Sequence, residues 1–377
     1  MIPESRRIAH LDMDAFFASV ALLRYPDLVG QPVVIGGHGP APEPGSYARL
    51  GGYVGRGVLT TASYEARQLG VHSAMGMMKA ARLAPDAILL PVDFPSYRHY
   101  SRLFKAAVAR IAPLVEDRGI DEIYIDLTPL QADSASLARR LKQAVFQATG
   151  LRCSIGISPN KLLSKIASDL DKPDGITILQ PGDLERRIWP LAVSKINGIG
   201  PKATQKLARL GIQTIAQLAH ADPALLQRHF GHTYARWLVE VAHGRDDRPV
   251  VTHSEPRSIS RETTFERDLH VRHDRTLLSA ILRELCERLA ADLARKQVRS
   301  GTIGVKLRFA DFSIITRDLT LPEAIADVDA IHQAARACLK RVEFDQRMRL
   351  LGVRAAKLVS VRDGDTGQSR PEQLSLY

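Results

Sequence analysis

Along the first 180 residues, short runs that alternate apolar and polar residues take turns with longer runs that repeat an apolar residue every three or four positions. This rhythm predicts strands exchanging with helices. The stretch RRIAHLDMDAFFASVALL opens as a strand through Ile8 and Leu11 and passes through the corner Asp12, Met13, Asp14 into a helix. QPVVIGG predicts a second strand, and HGPAPEPGSYARLGGYVGRG, dense in Gly and Pro, predicts a long mobile loop. VLTTASYEARQLGV reads as a strand followed by a helix. A helix over about 77–83, a short strand near ILLPVD and a helix in SYRHYSRLFKAAVARIAPLV come next. In GIDEIYIDLT, Ile123, Ile125 and Leu127 alternate with Tyr124, Asp126 and Thr128, a half-buried strand headed by a hairpin at Asp121 and Glu122. A helix over roughly 136–149, the strand RCSIGIS and a helix in PNKLLSKIASDL complete the series, the last with Ser158 as N-cap, Pro159 in its first turn and DKPDG as its end. Together these predict an α+β sheet with helices on one face.

From about residue 181 the pattern changes to short helices separated by glycines. INGIGPKATQKLARLG holds a tight turn at Gly198, Ile199 and Gly200, then Pro201 and a helix closed by Gly211, and ADPALLQRHFG repeats the Asp-Pro start. A small all-helical domain is expected, followed by RDDRPVVTHSEPR, charged and without period, as a linker. RSISRETTFERDL, SGTIGVKLRFADF and RLLGVRAAKLV predict strands flanking helices near 274–296 and 323–341. Lys306 and Arg308 alternate with Val305, Leu307 and Phe309, which places basic groups on one open face, suited to a DNA backbone or merely a solvated edge. The tail GDTGQSRPEQLSLY reads as disordered until its last residues.

Composition narrows the class. A chain of 377 residues divides into roughly two to four domains, and 45% hydrophobic with 25% charged residues suits a soluble globular protein. No apolar run reaches the roughly 18 residues of a spanning helix, and Asp12 and Asp14 stand where a signal peptide is apolar, so a cytoplasmic protein without a membrane segment is expected. Cys153, Cys286 and Cys338 are odd in number and widely spaced, which argues against a disulfide framework or zinc site and for core thiols. A net charge of +11 points toward a polyanionic partner such as nucleic acid.

The charged motifs say more. Asp12 and Asp14 flank Met13 at one strand end, and Asp121 and Glu122 occupy a hairpin on another. If the two strands are neighbours, three or four carboxylates converge, raising one another's pKa and demanding a cation. All-oxygen ligands select Mg²⁺ or Mn²⁺, and two such ions can activate an attacking oxygen and stabilise a leaving phosphate oxygen. The plainer alternative is that Asp12 and Asp14 cap the helix and the Asp121 and Glu122 pair is a polar turn. Tyr64 and Arg67, three apart on a predicted helix, share a face that suits an anionic ligand or an ordinary surface. Lys172, in the turn past a helix, offers charge to a triphosphate or to solvent. The turn at Gly198 and Gly200 lets backbone N–H groups approach a phosphate, with Lys202 adding charge, as in a helix-hairpin-helix; an ordinary glycine turn is the alternative.

Five stretches in order, HLDMDAFFASV, TTASYEARQLGV, GIDEIYIDLT, SPNKLLSKIASDLDKPDG and INGIGPKATQKLARLG, resemble the Y-family translesion DNA polymerases, closest to their DinB-type polymerase IV branch. The likeness covers nearly the whole chain up to about residue 355. It implies an α+β multidomain right-hand polymerase: palm in 1–14 and 91–180, fingers in 15–90, helical thumb in 181–244, linker in 245–257, α/β little finger in 258–358, and a flexible tail in 359–377. It further implies that Asp12, Asp121 and Glu122 ligate two Mg²⁺ ions, replaceable by Mn²⁺, with the Met13 carbonyl as a further ligand. Phe17 matches the steric-gate aromatic, whose ring would clash with a ribonucleotide 2′-hydroxyl, while Phe16 beside it stands open between nucleotide contact and core. Thr61, Tyr64, Arg67 and Lys172 match the residues that hold the incoming dNTP triphosphate. Gly198, Gly200, Lys202, Lys306 and Arg308 are the expected contacts to primer-template DNA. The terminal QLSLY resembles the peptide by which bacterial polymerases dock on the sliding clamp, with Gln373 as polar anchor and Leu374, Leu376 and Tyr377 as apolar ones.

What the resemblance implies is a monomeric, cytoplasmic, template-directed polymerase of low fidelity, tolerant of damaged templates, and no stretch suggests a proofreading nuclease. Two features depart from the family pattern: Ala21 stands where Glu is common, and the loop over 38–55 is longer. Neither removes an expected ligand. A catalytically silent DNA-binding relative and a palm-type nucleotidyl cyclase are the rivals. Clustered carboxylates argue against the first, and the helix-hairpin-helix and basic C-terminal domain against the second.

Overall fold

A computed structural model describes residues 6–180 and 182–361, which fall into two units, the first ending at His253 and the second beginning at Ser254. The first unit runs β1 (Ile8–Met13), α1 (Phe16–Arg24), β2 (Val33–Gly36), β3 (Ala48–Arg49), β4 (Leu59–Ala62), α2 (Tyr64–Gln68), α3 (Met77–Leu83), β5 (Ile88–Leu90), α4 (Phe94–Ala109), β6 (Val115–Asp117), β7 (Glu122–Asp126), α5 (Ser134–Thr149), β8 (Cys153–Ser158), α6 (Lys161–Leu170) and β9 (Ile176–Ile178). Four helices follow: α7 (Pro201–Arg209), α8 (Ile215–Ala219), α9 (Pro223–Phe230) and α10 (His232–Ala242).

β1 lies at the centre of a five-stranded sheet of order β6-β7-β1-β8-β9, antiparallel to both neighbours. Period two divides its residues cleanly. Ala9, Leu11, Ile123, Ile125, Ile155 and Ile157 are buried in one core with Phe104 and Val108 of α4 and Leu137 and Leu141 of α5. On the opposite face His10 faces Tyr124 and Gly156 across the strands, and α6 covers it. A Cβ at Gly156 would lie 2.2 Å from Ser164 O and Ser168 N, so only glycine lets that helix approach so closely. Helices therefore cover both faces, not one as expected from the sequence. The N-cap of α6 also differs from expectation: Asn160, not Ser158, accepts from the Leu163 N–H at 2.9 Å. Ser158 is held in β8 opposite Ile8, which leaves Pro159 outside the helix.

The 38–55 stretch is not one long loop. β3 pairs with β5 at the edge of a second sheet, β3-β5-β2-β4, and Leu50 beside it is fully buried. α4 stops at Ala109, short of its apolar continuation, because Pro113 cannot extend it. The four later helices enclose Leu207, Ile215, Leu218, Leu226 and Leu238. Asp222 caps α9 ahead of Pro223, and Gly211 follows α7 at φ 77°.

Residues 245–257 carry no helix or strand, and the boundary between the two units falls within them. Their first half is nonetheless fastened to the first unit: Asp246 accepts from the Leu162 N–H at 2.9 Å and Glu116 from the Val251 N–H at 2.8 Å. Glu116 and Lys161 form a buried ion pair beneath it at 2.6 Å.

The second unit comprises β10 (Ser258–Leu269), α11 (Arg275–Arg295), β11 (Val298–Phe309), β12 (Ile314–Ile325), α12 (Val328–Leu339) and β13 (Met348–Ser360). The sheet order is β10-β13-β11-β12, and Ile303, Val305, Leu307 and Val353 pack against Leu282, Leu289, Ile331 and Ala335 of the two helices. β12 was not expected from the sequence, which placed a helix from 323. It is an edge strand whose apolar residues are largely half-exposed, where Pro322 costs no ladder bond, and the helix begins only after Asp327 caps it. Cys153, Cys286 and Cys338 are free and buried. Among the described residues no helix is long and apolar enough to cross a membrane.

Candidate active site

Asp12 and Glu122 are direct cross-strand partners, so their side chains leave the sheet on one face. Asp121 precedes β7 in the hairpin, and its carbonyl accepts from the Met13 N–H at 3.0 Å, which ties the two acidic segments together. Asp14 does not join them. The chain turns sharply at Ala15, whose φ of 43° lies in the left-handed region, and the buried Asp14 carboxylate accepts from Ser154 Oγ at 2.8 Å, Tyr64 OH at 3.3 Å and the Asp174 N–H at 2.8 Å. It braces the site instead of adding a fourth free carboxylate.

Two lysines neutralise the acids. Lys172 Nζ lies 2.8 Å from both Asp12 and Asp169, and Lys165 pairs with Glu122. His10, fully buried, places Nε2 3.3 Å from Glu122 and Nδ1 2.8 Å from Ser168 Oγ. Burial raises the pKa of Asp12 against the pull of Lys172; burial, then the Glu122 charge, raises that of Asp121. Glu122 falls to about 2, chiefly through the His10 hydrogen bond, with Lys165 adding to it against burial. Burial lowers the pKa of His10 against the pull of its Glu122 hydrogen bond. Burial also opposes the charge on Lys172, but Asp12 and Asp169 overcome it and raise its pKa. Tyr64 is pushed up to about 12 by burial and then by the Asp14 charge, so it stays a hydroxyl donor.

A cavity of about 240 Å³ opens beside the acids, lined by Asp12, Met13, Phe16, Phe17, Thr61, Tyr64, Arg67, Asp121 and Lys172. Asp12, Met13 and Asp121, expected to hold metal, thus meet the residues expected to hold nucleotide, whereas Glu122 is not in the lining and pairs with His10 and Lys165. The Arg67 guanidinium lies 4.8 Å over the Tyr64 ring and is held by the Ala62 carbonyl at 3.1 Å. The Phe17 ring is half-buried 4.2 Å from that of Tyr97. Phe16 is only 3% exposed and packs on Tyr97 and Phe104, so it is mainly a core residue. Ligand atoms of His10, Asp12 and Glu122 lie within 4.8 Å of one another. The two carboxylates of this set suit a hard divalent cation, and each has an ammonium partner, Lys172 on Asp12 and Lys165 on Glu122.

The sequence reading missed His10, Lys165, Ser73 and Ser154. His10 was discoverable, since it stands two residues before Asp12 on the same strand face. Lys165 reaches Glu122 from a helix, Ser154 reaches Asp14 from the neighbouring strand, and Ser73 meets Thr61 Oγ1 at 3.4 Å from a loop. No local pattern announces such contacts.

The chain matches the impB/mucB/samB family over residues 11–169, the C-terminal domain of that family over 256–376, and the IMS family HHH motif over 181–212. It is 41% identical to a DNA polymerase IV of Alkalilimnicola ehrlichii over 99% of both chains. It is 39% identical to one of Methanoculleus marisnigri over 95% of this chain and 96% of that one. A solved Y-family DNA polymerase chimera superposes with a TM-score of 0.78 at 25% identity, covering 94% of this chain and 99% of the other. The chain belongs to the Y-family DNA polymerases. As a member of the polymerase IV branch it is a DNA-directed DNA polymerase of the translesion type, a class that uses divalent metal ions and acts on DNA.

The remaining expected contacts of this Y-family polymerase are not among the residues that line the cavity. Gly198 adopts φ 108°, and a Cβ there would come within 2.8 Å of the Trp237 ring, so glycine is required. Gly200 caps α7 with open space around it, and Lys202 is exposed in the first turn. Lys306 and Arg308 do share the helix-free face of the second unit, but Lys306 is not open: it pairs with Glu262 at 2.8 Å. Gln373, Leu374, Leu376 and Tyr377 lie outside the described residues.

Proposed function

We propose that the cavity beside Asp12 is where a primer 3′-hydroxyl attacks the α-phosphate of a dNTP under template direction. The observation that carries this reading is that Asp12, the cross-strand partner of Glu122, lines one cavity together with Asp121, Tyr64, Arg67 and Lys172. Asp12, Asp121, Glu122 and the Met13 carbonyl would hold two Mg²⁺ ions, or Mn²⁺ in their place. Bound there, the ions supply a lowered pKa for the primer hydroxyl and charge stabilisation for departing pyrophosphate.

The protein's own groups do the rest. Arg67 donates to the β- and γ-phosphates, Tyr64 turns its one hydroxyl proton from Asp14 to them, and Lys172 exchanges its bond to Asp12 for the triphosphate. Phe17, fixed by Tyr97, closes the sugar side against a 2′-hydroxyl. His10 and Lys165 hold the Glu122 carboxylate ionised and oriented. Positioning and electrostatics account for the catalysis.

In this reading 1–14 with 91–180 form the palm, 15–90 the fingers, 181–244 the thumb, 245–257 the linker and 258–358 the little finger. Gly198, Gly200 and Lys202, with the open face around Lys306 and Arg308, grip the DNA backbone without reading sequence. The tail 359–377 carries QLSLY to a sliding clamp, and the enzyme acts as a cytoplasmic monomer. Low fidelity belongs to this reading as a trait of the translesion class. Primer extension with the four dNTPs and Mg²⁺ tests it: extension should copy the template and cease without divalent metal. DNA binding without extension would favour a catalytically silent relative.

A further inference from the structure

The sheet of the second unit packs its two helices on one face. On the other, cross-strand pairing sets Arg354 on β13, Gly304 on β11 and Asp318 on β12 in one row, and Glu262 on β10, Gly352 on β13 and Lys306 on β11 in the next. In each row a cation lies across a glycine to an acid two strands away. Arg354 reaches Asp318 at 2.8 Å over Gly304, and Lys306 reaches Glu262 at 2.8 Å over Gly352. The glycines are required for this. A Cβ at Gly304 would fall 1.8 Å from Asp318 Oδ1, and one at Gly352 would fall 2.8 Å from Glu262 Cβ. The carboxylates thus occupy hollows in the sheet surface beside the cations, where an incoming phosphate oxygen would otherwise sit. In the following row Arg308 has a buried Nε with no hydrogen-bond acceptor among the described residues, so the face also holds a donor that the protein itself leaves unmatched.

We propose that Glu262 and Asp318 are built-in competitors for the DNA phosphates, holding Lys306 and Arg354 flat on the sheet until a phosphate displaces them. This rests on the reading of that face as a DNA-binding surface. Both ion pairs are half-exposed, so exchange with a phosphate is low in cost and reversible. The acids weaken the grip on DNA and make release easier.

The test is the affinity of the full-length protein for a labelled primer-template at fixed salt, read by fluorescence anisotropy. Glu262→Gln and Asp318→Asn should each tighten binding by about two- to five-fold, the worth of one exposed ion pair. In a Lys306→Gln background the effect of Glu262→Gln should vanish, since no cation is left to release. Equal tightening in both backgrounds would overturn the proposal, because the acid would then act only by general repulsion. Lys306→Gln and Arg354→Gln alone should weaken binding and lessen the salt dependence by about one unit each in log–log slope. If neither does, the face does not hold DNA, and the surface reading itself fails.

Discussion

The Lys172 ammonium lies 2.8 Å from Asp12 Oδ1, a salt bridge joining a residue proposed to hold phosphate to one proposed to hold metal. Side chains on both sides are 20% exposed, so the pair is accessible to an arriving nucleotide. In the proposed reading a triphosphate with its metal would offer each partner a stronger one, and the bridge would open as the substrate seats. Lys172→Met should therefore raise the KM for dNTP on the order of 10- to 100-fold, the worth of a charge-assisted hydrogen bond. Steady-state insertion kinetics would show it, and an unchanged KM would remove Lys172 from the triphosphate site.

Phe17 presents its ring to the cavity from a tilted contact with the Tyr97 ring at 4.2 Å. Phe17→Ala should lower discrimination against ribonucleotides by about ten-fold or more. Parallel insertion of dNTP and rNTP measures it. Unchanged sugar selection would sink the steric-gate assignment.

Asp14 holds Tyr64, Ser154 and the turn after Lys172 with one buried carboxylate. Asp14→Ala leaves these donors unmatched and should cost roughly 1–3 kcal/mol of stability, with a raised KM for dNTP. Asp14→Asn, which keeps an acceptor oxygen, should recover much of both. Equal damage by the two substitutions would mean that the charge, not the bracing, matters.

Much of this geometry could be read from period and punctuation. The alternation through Ile123 and Ile125 gave the strand, the bounds of α3 coincide with those expected, and strand ends carrying Asp12 and Glu122 suggested their meeting. What escaped notice depends on backbone turns or on distant elements. Asp14 looks equivalent to Asp12 until the left-handed Ala15 turns it away. β12 hides because an edge strand shows only half-exposed apolar residues, and α6 lies on the unexpected face because Gly156 admits it.

Asp292, almost buried, is held below the usual carboxylate range by a hydrogen bond from Arg261, with Arg295 assisting against burial. A depressed pKa contributes stability above the unfolded value of about 4, and this is lost as pH falls through the native value. Thermal unfolding should thus show Asp292→Asn less stable at neutral pH, with a smaller loss between pH 7 and pH 3 than the parent. Identical melting at pH 7 would deny the pair a stabilising role.

The QLSLY segment makes a separate prediction. Deleting 373–377 should abolish clamp-stimulated synthesis and leave basal extension unchanged. Equal stimulation without these residues would refute clamp docking through the tail.

The most direct measurement is single-turnover insertion of one dNTP on a primer-template by the parent, Asp121→Asn and Glu122→Gln, with DNA affinity measured alongside. The acidic cluster as the centre of nucleotidyl transfer predicts that both variants lose at least about 10²–10³-fold in rate while binding DNA as tightly as the parent. Insertion at near the parent rate by either variant would contradict it.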